Sequence, residues 1–191
     1  MFINNEKTPV ILFENFFDIN RSENLLKYLK ENFEWNQDEY NFNGKIVKSP
    51  RLTHYTGVGN YSYSGQTKKG KPYPTPIQYL ANLIEEYLNI EKGYLNGCLL
   101  NWYRDGNDSI SYHKDNEKDM DKDTIIAVLS IGAKRKFYIK NDYTNEVVKY
   151  ELHNCSLTIM NPICQRLWKH SIPKEKKIKE ERISLTFRHF R

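Results

Sequence analysis

The part of the chain that follows Gly97 is a succession of short β-rich runs separated by turns. Branched and aromatic residues dominate the runs, and turn residues such as Gly132 and Asn161-Pro162 separate them. Many short strands without intervening helices are typical of a sandwich, a barrel or a jelly roll. The predicted strands cover residues 98–103, 124–131, 135–139, 147–152, 156–160 and 183–187.

Two amphipathic helices are predicted before Gly97. The first begins at a cap formed by Asn20 or Ser22, and the second begins at Thr75-Pro76, where a proline suits the first turn. Their apolar residues recur at helical spacing. These residues are Leu25, Leu26, Leu29 and Phe33 in the first helix, and Ile77, Leu80, Leu83, Ile84 and Leu88 in the second. We therefore predict one α+β domain over residues 1–191, with helices and accessory strands in 1–96 and a mainly β core in 97–191.

Composition and length agree with a globular protein. The chain has 191 residues, of which 39% are hydrophobic and 28% charged, so that one domain with a sizeable core is expected. The longest apolar run, 125–131, is too short to cross a bilayer, and residues 1–20 lack the pattern of a secretory signal. We therefore expect a soluble, intracellular protein of the nucleus or cytoplasm, and we further expect it to be a monomer. The three cysteines, Cys98, Cys155 and Cys164, form no CxxC pair and are expected to be buried free thiols.

The formal net charge of +5 is compatible with a polyanionic partner but does not require one. Its placement is more informative, because two groups of lysines fall in predicted loops, where they could either contact phosphates or be solvated. The groups are Lys68, Lys69 and Lys71, and Lys174, Lys176, Lys177 and Lys179.

A metal site is suggested by His113 and Asp115. In an extended strand, residues two apart point to the same face, so the imidazole and the carboxylate would converge while Lys114 turns away. Two histidines and one carboxylate can occupy one side of an iron(II) ion and leave positions open for a bidentate cosubstrate and dioxygen. His170 is the best candidate for the third ligand. On its own, a His-x-Asp pair is more often an ordinary surface feature.

The run from Arg182 to Arg188 alternates polar and apolar residues without exception. It is either an edge strand with a solvated polar face or a strand whose arginines line a barrel interior. In an interior, anions must offset the desolvation of the arginines, and a dicarboxylic cosubstrate supplies two carboxylates. Asn101 and Tyr103 show the same spacing, and both side chains can hydrogen-bond a carboxylate.

Taken together, the motifs over residues 44–188 resemble the AlkB family of dioxygenases. The runs are NWYRDGNDSISYHKDNE, IIAVLSIGAKRKF, LTIMNPICQRLWKHSIP and RISLTFR, and the upstream run SPRLTHYTGVGNYSYSG resembles the animal DNA-repair branch. The resemblance implies a double-stranded β-helix (jelly roll) with N-terminal helices and a nucleotide-recognition segment. It also implies a dioxygenase that uses iron(II), 2-oxoglutarate and dioxygen to demethylate N-alkylated bases, such as N1-methyladenine and N3-methylcytosine, in DNA or RNA. Formaldehyde and succinate would be released.

The same resemblance implies roles for individual residues. The implied iron ligands, which are also the catalytic residues, are His113, Asp115 and His170. The implied 2-oxoglutarate contacts are Arg182 at the distal carboxylate, Arg188 near the carboxylate beside the keto group, and Asn101 and Tyr103. The implied base contacts are Arg51, Tyr61, Tyr63, Ser64 and Glu117. Glu117 would read the exocyclic amine, whereas Tyr61 and Tyr63 would flank the flipped base.

Two departures from the family pattern concern the shape of a turn and the choice of substrate. The usual His-Gly-Ser is replaced by His153-Asn154-Cys155-Ser156, where we expect asparagine to take the place of glycine in the turn. The position of the aromatic finger that fills the gap left by a flipped base holds Asn43, so that single strands and RNA remain open as substrates.

Other functions also remain open on sequence grounds. The same metal and cosubstrate residues would serve a hydroxylase of protein or small molecules. Tyr61 and Tyr63 share a strand face that could be a stacking surface for a base or ordinary core packing. A non-catalytic module that binds modified bases, and a structural zinc site, are the remaining alternatives.

Overall fold

A computed structural model describes residues 8–42, 44–63, 66–115, 120 and 123–191. The strands in chain order are β1 (Val10–Phe13), β2 (Glu39–Phe42), β3 (Lys45–Lys48), β4 (Leu52–Gly57), β5 (Asn60–Tyr63), β6 (Gln66–Lys69), β7 (Gly97–Tyr103), β8 (Ile110–His113), β9 (Ile126–Gly132), β10 (Arg135–Asn141), β11 (Val147–Leu152), β12 (Leu157–Met160), β13 (Trp168–Ile172) and β14 (Arg182–Arg188). The helices are α1 (Ile19–Asn32), α2 (Thr75–Leu88) and α3 (Pro162–Leu167). No helix within these ranges is long and apolar enough to span a membrane.

Two antiparallel sheets make up the core. One has the strand order β1-β12-β9-β14-β7-β4 and the other has the order β11-β10-β13-β8, while β2–β3 and β5–β6 form separate hairpins. From β7 to β14 the chain passes back and forth between the two sheets, with β10 and β11 entering the smaller sheet together. This winding is that of a double-stranded β-helix, and the predicted fold class is therefore confirmed.

The strand β14 shows how the sequence pattern separates the two sides of the larger sheet. Its apolar residues Ile183, Leu185 and Phe187 are fully buried in a core shared with α1 and α2. Its polar residues face the other side, toward the smaller sheet. The helices thus cover one face of the larger sheet, and the opposite face is left to form a pocket.

The first helix begins earlier than the sequence pattern indicated. The predicted caps, Asn20 and Ser22, lie inside α1, and the N-cap is Asp18, whose carboxylate accepts a hydrogen bond from the Asn20 N–H at 2.7 Å. Asp18 is in the extended conformation that a cap requires, whereas the Ser22 hydroxyl donates to the carbonyl of Ile19 at 2.7 Å. The second helix begins at Thr75, as predicted.

The turn before β12 also differs from the expectation. The residue with positive φ is Cys155 at 64°, and Asn154 does not take the place of glycine. Asn154 instead links three segments, because its side chain accepts from the Gly132 N–H at 2.9 Å and donates to the Ser22 hydroxyl at 3.1 Å. Asn154 therefore connects this turn to β9 and to α1.

Glu85 gives a first prediction for stability. This buried carboxylate of α2 accepts hydrogen bonds from the backbone N–H groups of Gly93 at 3.0 Å and Leu95 at 2.7 Å. Glu85→Ala leaves both donors without their partner, and we expect the free energy of unfolding in urea to fall by about 3 kcal/mol. The exposed neighbour Glu86 is the control, since Glu86→Ala should change it by less than about 0.5 kcal/mol. Equal effects of the two substitutions would contradict this account of the loop.

Candidate active site

The pocket lies between the two sheets, where polar side chains are grouped within an apolar wall. The wall is formed by residues of both sheets, among them Leu99 and Val128 from the larger sheet and Phe137 and Ile172 from the smaller one. A low-polarity enclosure of this kind strengthens electrostatic interactions inside it.

Three potential metal ligands converge at one side of the pocket. One ligand atom each from His113, Asp115 and His170 lies within 4.8 Å of the other two. Oδ1 of Asp115 is 3.5 Å from Nε2 of His113 and 3.7 Å from Nε2 of His170, and the centres of the two imidazole rings are 4.2 Å apart. The donor set of two imidazoles and one carboxylate suits a ferrous ion with open positions.

Strand pairing places the two histidines opposite each other. His113 is the last residue of β8, and its register partner in β13 is His170. The sequence pattern put Asp115 on the same strand as His113, but β8 ends at His113 and Asp115 lies beyond it. The carboxylate still reaches the site, because Oδ2 of Asp115 is held at 2.8 Å by the guanidinium of Arg188.

Electrostatics keep Asp115 and His170 in the forms that bind a metal. Burial tends to raise the pKa of Asp115, but the Arg188 guanidinium and the two imidazoles outweigh burial and hold the pKa well below its usual value. Burial, together with the nearby His113, lowers the pKa of His170 to about 3. Nδ1 of His113 lies 2.9 Å from the carbonyl oxygen of Ser111, an arrangement that favours a proton on Nδ1 and leaves Nε2 as the ligand atom.

The other end of the pocket contains a buried guanidinium. Arg182 is 1% exposed, its Nη2 donates to the Ser130 hydroxyl at 2.9 Å, and the group lies 5.3 Å from the centre of the Tyr103 ring. Within the described ranges, Nε and Nη1 of Arg182 have no hydrogen-bond partner. Burial lowers the pKa of Arg182 to about 10, while Tyr103 acts in the opposite direction. Unused donors on a buried cation fit a carboxylate of a bound diacid.

Asn101 and Arg51 share one hydrogen bond beside this group. Nε of Arg51 donates to Oδ1 of Asn101 at 2.9 Å, and Nη1 lies 3.3 Å from the Ser49 hydroxyl. The sequence placed Arg51 with the base contacts, but Arg51 is 5% exposed and is bound to a residue predicted to contact the cosubstrate. With its oxygen occupied, Asn101 has its amide N–H groups left to donate into the pocket.

Two of the predicted base contacts, Arg51 and Tyr61, have side chains that are described in the pocket wall. Tyr61 stacks on Tyr55 with ring centres 5.2 Å apart, and the Arg188 guanidinium lies 5.4 Å from its ring centre. Tyr63 belongs to β5, but its side chain lies outside what the structure describes, as do Ser64 and Glu117 entirely.

The two lysine groups lie in different places. Lys68 forms an ion pair with Asp38 at 2.7 Å, and both side chains are less than one fifth exposed. Asp38 also accepts from the Thr53 hydroxyl at 2.8 Å, so this lysine fastens the β5–β6 hairpin to the body of the protein. The lysines of residues 174–179 lie in the loop before β14, at the end where Arg182 begins the strand. The sequence placed Lys68, Lys69 and Lys71 in a loop, but Lys68 and Lys69 lie in β6 and Lys71 follows it.

Sequence reasoning missed two residues that surround the site. Thr158 lines the pocket, and Ser130 holds Arg182. The alternation within β9 and β12 could have pointed to them, since their neighbours Leu129 and Ile159 are core residues. No local pattern indicated that β13 is a strand, because it is short and mixes aromatic, charged and polar residues.

Comparison with known proteins agrees with this geometry. The profile of the 2OG-Fe(II) oxygenase superfamily matches residues 9–188, and the chain belongs to that family. The iron(II) and 2-oxoglutarate for which the family is named are the cofactors that the three ligands and the buried arginine fit.

Within this family, the sequence is similar to AlkB homologues. It is 35% identical over 190 residues to alpha-ketoglutarate-dependent dioxygenase alkB homolog 3 of Homo sapiens, a match that covers 94% of this chain and 65% of that protein. It is 33% identical over 155 residues to DNA oxidative demethylase ALKBH2 of Mus musculus, covering 76% and 64% of the two chains. The chain thus spans just under two thirds of the length of these relatives. The solved structure of OsALKBH1 shares the fold, with a TM-score of 0.69, 14% identity and coverage of 95% and 96%.

Proposed function

We propose that this protein is an iron(II)- and 2-oxoglutarate-dependent dioxygenase that oxidatively demethylates N-alkylated bases in DNA or RNA, with N1-methyladenine and N3-methylcytosine as substrates. The observation that carries the proposal is the convergence of His113, Asp115 and His170 in the pocket that also contains the buried guanidinium of Arg182. The substrate class is supported by the similarity to a relative named as a DNA oxidative demethylase.

In this proposal His113, Asp115 and His170 hold the iron, while Arg182 binds the distal carboxylate of 2-oxoglutarate through its unused N–H groups. Asn101 and Tyr103 donate further hydrogen bonds to the cosubstrate, and Arg188 lies near the carboxylate beside the keto group. When bound, the iron, 2-oxoglutarate and dioxygen supply the oxidation that releases the methyl group as formaldehyde, with succinate and carbon dioxide as co-products.

The protein's own residues orient these groups and exclude water. Arg188 holds Oδ2 of Asp115 and leaves Oδ1 facing both imidazoles. Ser111 favours the tautomer of His113 that leaves Nε2 free for the metal. The apolar wall, which includes Leu99 and Phe137, keeps solvent from the reacting centre.

Base recognition is assigned to the segment around β5 and to Glu117. A base must leave its stack to reach the metal, and Tyr61 lies at the pocket with Tyr55 behind it. The roles proposed for Tyr63, Ser64 and Glu117 rest on the resemblance to the AlkB family. We also propose that residues 1–191 form one domain and that the protein is a monomer. It would act in the nucleus or the cytoplasm, where nucleic acids are found.

A product assay tests the function directly. Oligonucleotides that contain N1-methyladenine or N3-methylcytosine, as single-stranded DNA, double-stranded DNA and RNA, are incubated with iron(II) and 2-oxoglutarate. We expect stoichiometric formaldehyde and succinate, and the three substrate forms decide between DNA and RNA. Turnover of methylated peptides alone would indicate a hydroxylase of another substrate class. Binding without formaldehyde or succinate would indicate a non-catalytic reader of modified bases.

Substitution of Glu117 tests how the base is selected. N1-methyladenine and N3-methylcytosine carry positive charge, so an acidic side chain should favour them over unmethylated bases. Glu117→Gln removes the charge, and we expect the ratio of binding affinities for methylated and unmethylated oligonucleotides to fall by about tenfold, which corresponds to about 1.4 kcal/mol. Unchanged selectivity would remove Glu117 from the recognition site.

A further inference from the structure

The segment from His113 to Asp115 contains two of the three metal ligands and is hydrogen-bonded to the short helix α3; we call it the ligand segment. The backbone N–H of Asp115 donates to Oε1 of Gln165 at 3.0 Å, and both residues are buried. The ammonium of Lys114 donates to the backbone carbonyl of Arg166 at 2.9 Å and pairs with Asp142 at 2.6 Å. Two consecutive residues of the ligand segment therefore bind two consecutive residues of α3.

Both polar atoms of the Gln165 side-chain amide have a partner. Its Nε2 lies 3.9 Å from Sδ of Met160, the last residue of β12, so the amide oxygen is turned toward Asp115. The start of α3 is anchored as well, because the side-chain amide of Asn161 donates to the carbonyl of Thr8 at 2.7 Å. Gln165 thus connects the ligand segment to α3, which is anchored directly after β12 of the larger sheet.

Asp115 needs such a contact because it lies beyond the end of β8. The pairing with β13 sets the position of His113 and His170, but it does not extend to Asp115. Arg188 holds the carboxylate end of Asp115, and Gln165 holds its backbone. Outer partners of this kind orient ligands, and their loss commonly lowers metal affinity 10- to 100-fold.

We propose that Gln165 is a positioning residue of the metal centre, which acts through the Asp115 N–H to keep the carboxylate within reach of the ion shared with His113 and His170. The inference rests on the metal binding of the proposed function and goes beyond it by assigning a residue that contacts neither metal nor substrate. Gln165 is 8% exposed and offers the one acceptor within the described residues that is recorded for this N–H.

The test measures metal binding by the whole chain without turnover. Cobalt(II) is titrated into metal-free protein, and its affinity and visible absorption spectrum are recorded. Gln165→Met keeps a similar side-chain length without the acceptor, and Gln165→Asn retracts the same amide by one methylene. We expect both variants to bind cobalt(II) about tenfold more weakly and to change the spectrum, which reports ligand geometry. Wild-type affinity and spectrum in both variants would overturn the proposal.

Two controls separate positioning from general loss of structure. Arg166→Ala removes a neighbouring half-exposed side chain, paired with Asp123 at 3.0 Å, but keeps the carbonyl that Lys114 contacts, and cobalt binding should not change. Glu85→Gln weakens the hydrogen bonds between α2 and the following loop, on the face of the larger sheet opposite the pocket. This variant should lose stability but keep its affinity for cobalt(II). Equal loss of affinity in Glu85→Gln and the Gln165 variants would overturn the positioning role. Failure of the wild-type protein to bind cobalt(II) would overturn the proposed function itself.

Discussion

Replacing His113 by alanine is expected to weaken metal binding strongly and to abolish turnover. The substitution removes one of three ligand atoms that lie within 4.8 Å of each other, and the two remaining ligands cannot hold the ion in a fixed geometry. Because loss of an outer partner alone costs 10- to 100-fold in affinity, loss of a ligand should weaken manganese(II) or cobalt(II) binding by more than about 100-fold. Formaldehyde release should become undetectable with every methylated substrate.

Tyr112 provides the matched control for this experiment. It precedes His113 in β8, is 40% exposed, and points away from the pocket in the alternation of the strand. Tyr112→Ala should therefore leave metal affinity unchanged. The assignment of His113 would be wrong if its alanine variant bound manganese(II) as tightly as the wild-type protein.

The second large effect is expected at Arg182. Arg182→Met should raise the KM for 2-oxoglutarate by about 100-fold, because the cosubstrate loses a charge-assisted partner worth about 3 kcal/mol in a desolvated pocket. The same substitution should not destabilise the protein without ligands, and replacing a buried charge by an apolar side chain can stabilise it by about 1–4 kcal/mol. Steady-state kinetics measures the change in KM. Thermal unfolding with and without 2-oxoglutarate measures the change in stability and the loss of binding, since the ligand should no longer raise the Tm of the variant.

Arg135 offers a contrast at equal burial. It is also 1% exposed, but its guanidinium donates to the backbone carbonyls of Asp105, Asp108 and Pro173 and to the carboxylate of Glu175. Arg135→Met should therefore destabilise the ligand-free protein by about 3–5 kcal/mol, opposite in sign to Arg182→Met. Comparable losses of stability in the two variants would show that Arg182 is a structural residue rather than a binding group.

Most of the correct predictions about the strands and the pocket came from the alternation of polar and apolar residues. The polar faces of β7 and β14 were expected from a spacing of two, and their residues Asn101, Tyr103, Arg182 and Arg188 do line one pocket. A strand with side chains on alternating sides leaves little freedom once one face is buried. The six strands predicted in the second half all correspond to observed strands, and their bounds agree to within two residues.

Elements whose sequence has no period were missed. The strand β1, at the edge of the larger sheet, has four apolar residues, too few to show a period. The strand β13, which contains His170, is also short and mixes aromatic, charged and polar residues. The cap of α1 was placed too late because Asp18, Asn20 and Ser22 are all suitable capping residues, and the choice among them depends on how the preceding chain enters the helix.

The sequence by itself determined that the chain forms short alternating strands and that residues 182–188 place two arginines on one face. It could do so because side-chain direction along a strand is a local property of the backbone. The tertiary structure alone decided that His170 lies opposite His113, that Arg188 holds Asp115, and that Gln165 braces it from α3. These contacts join residues about 50 or more positions apart, and their geometry depends on sheet register and packing that no local pattern encodes.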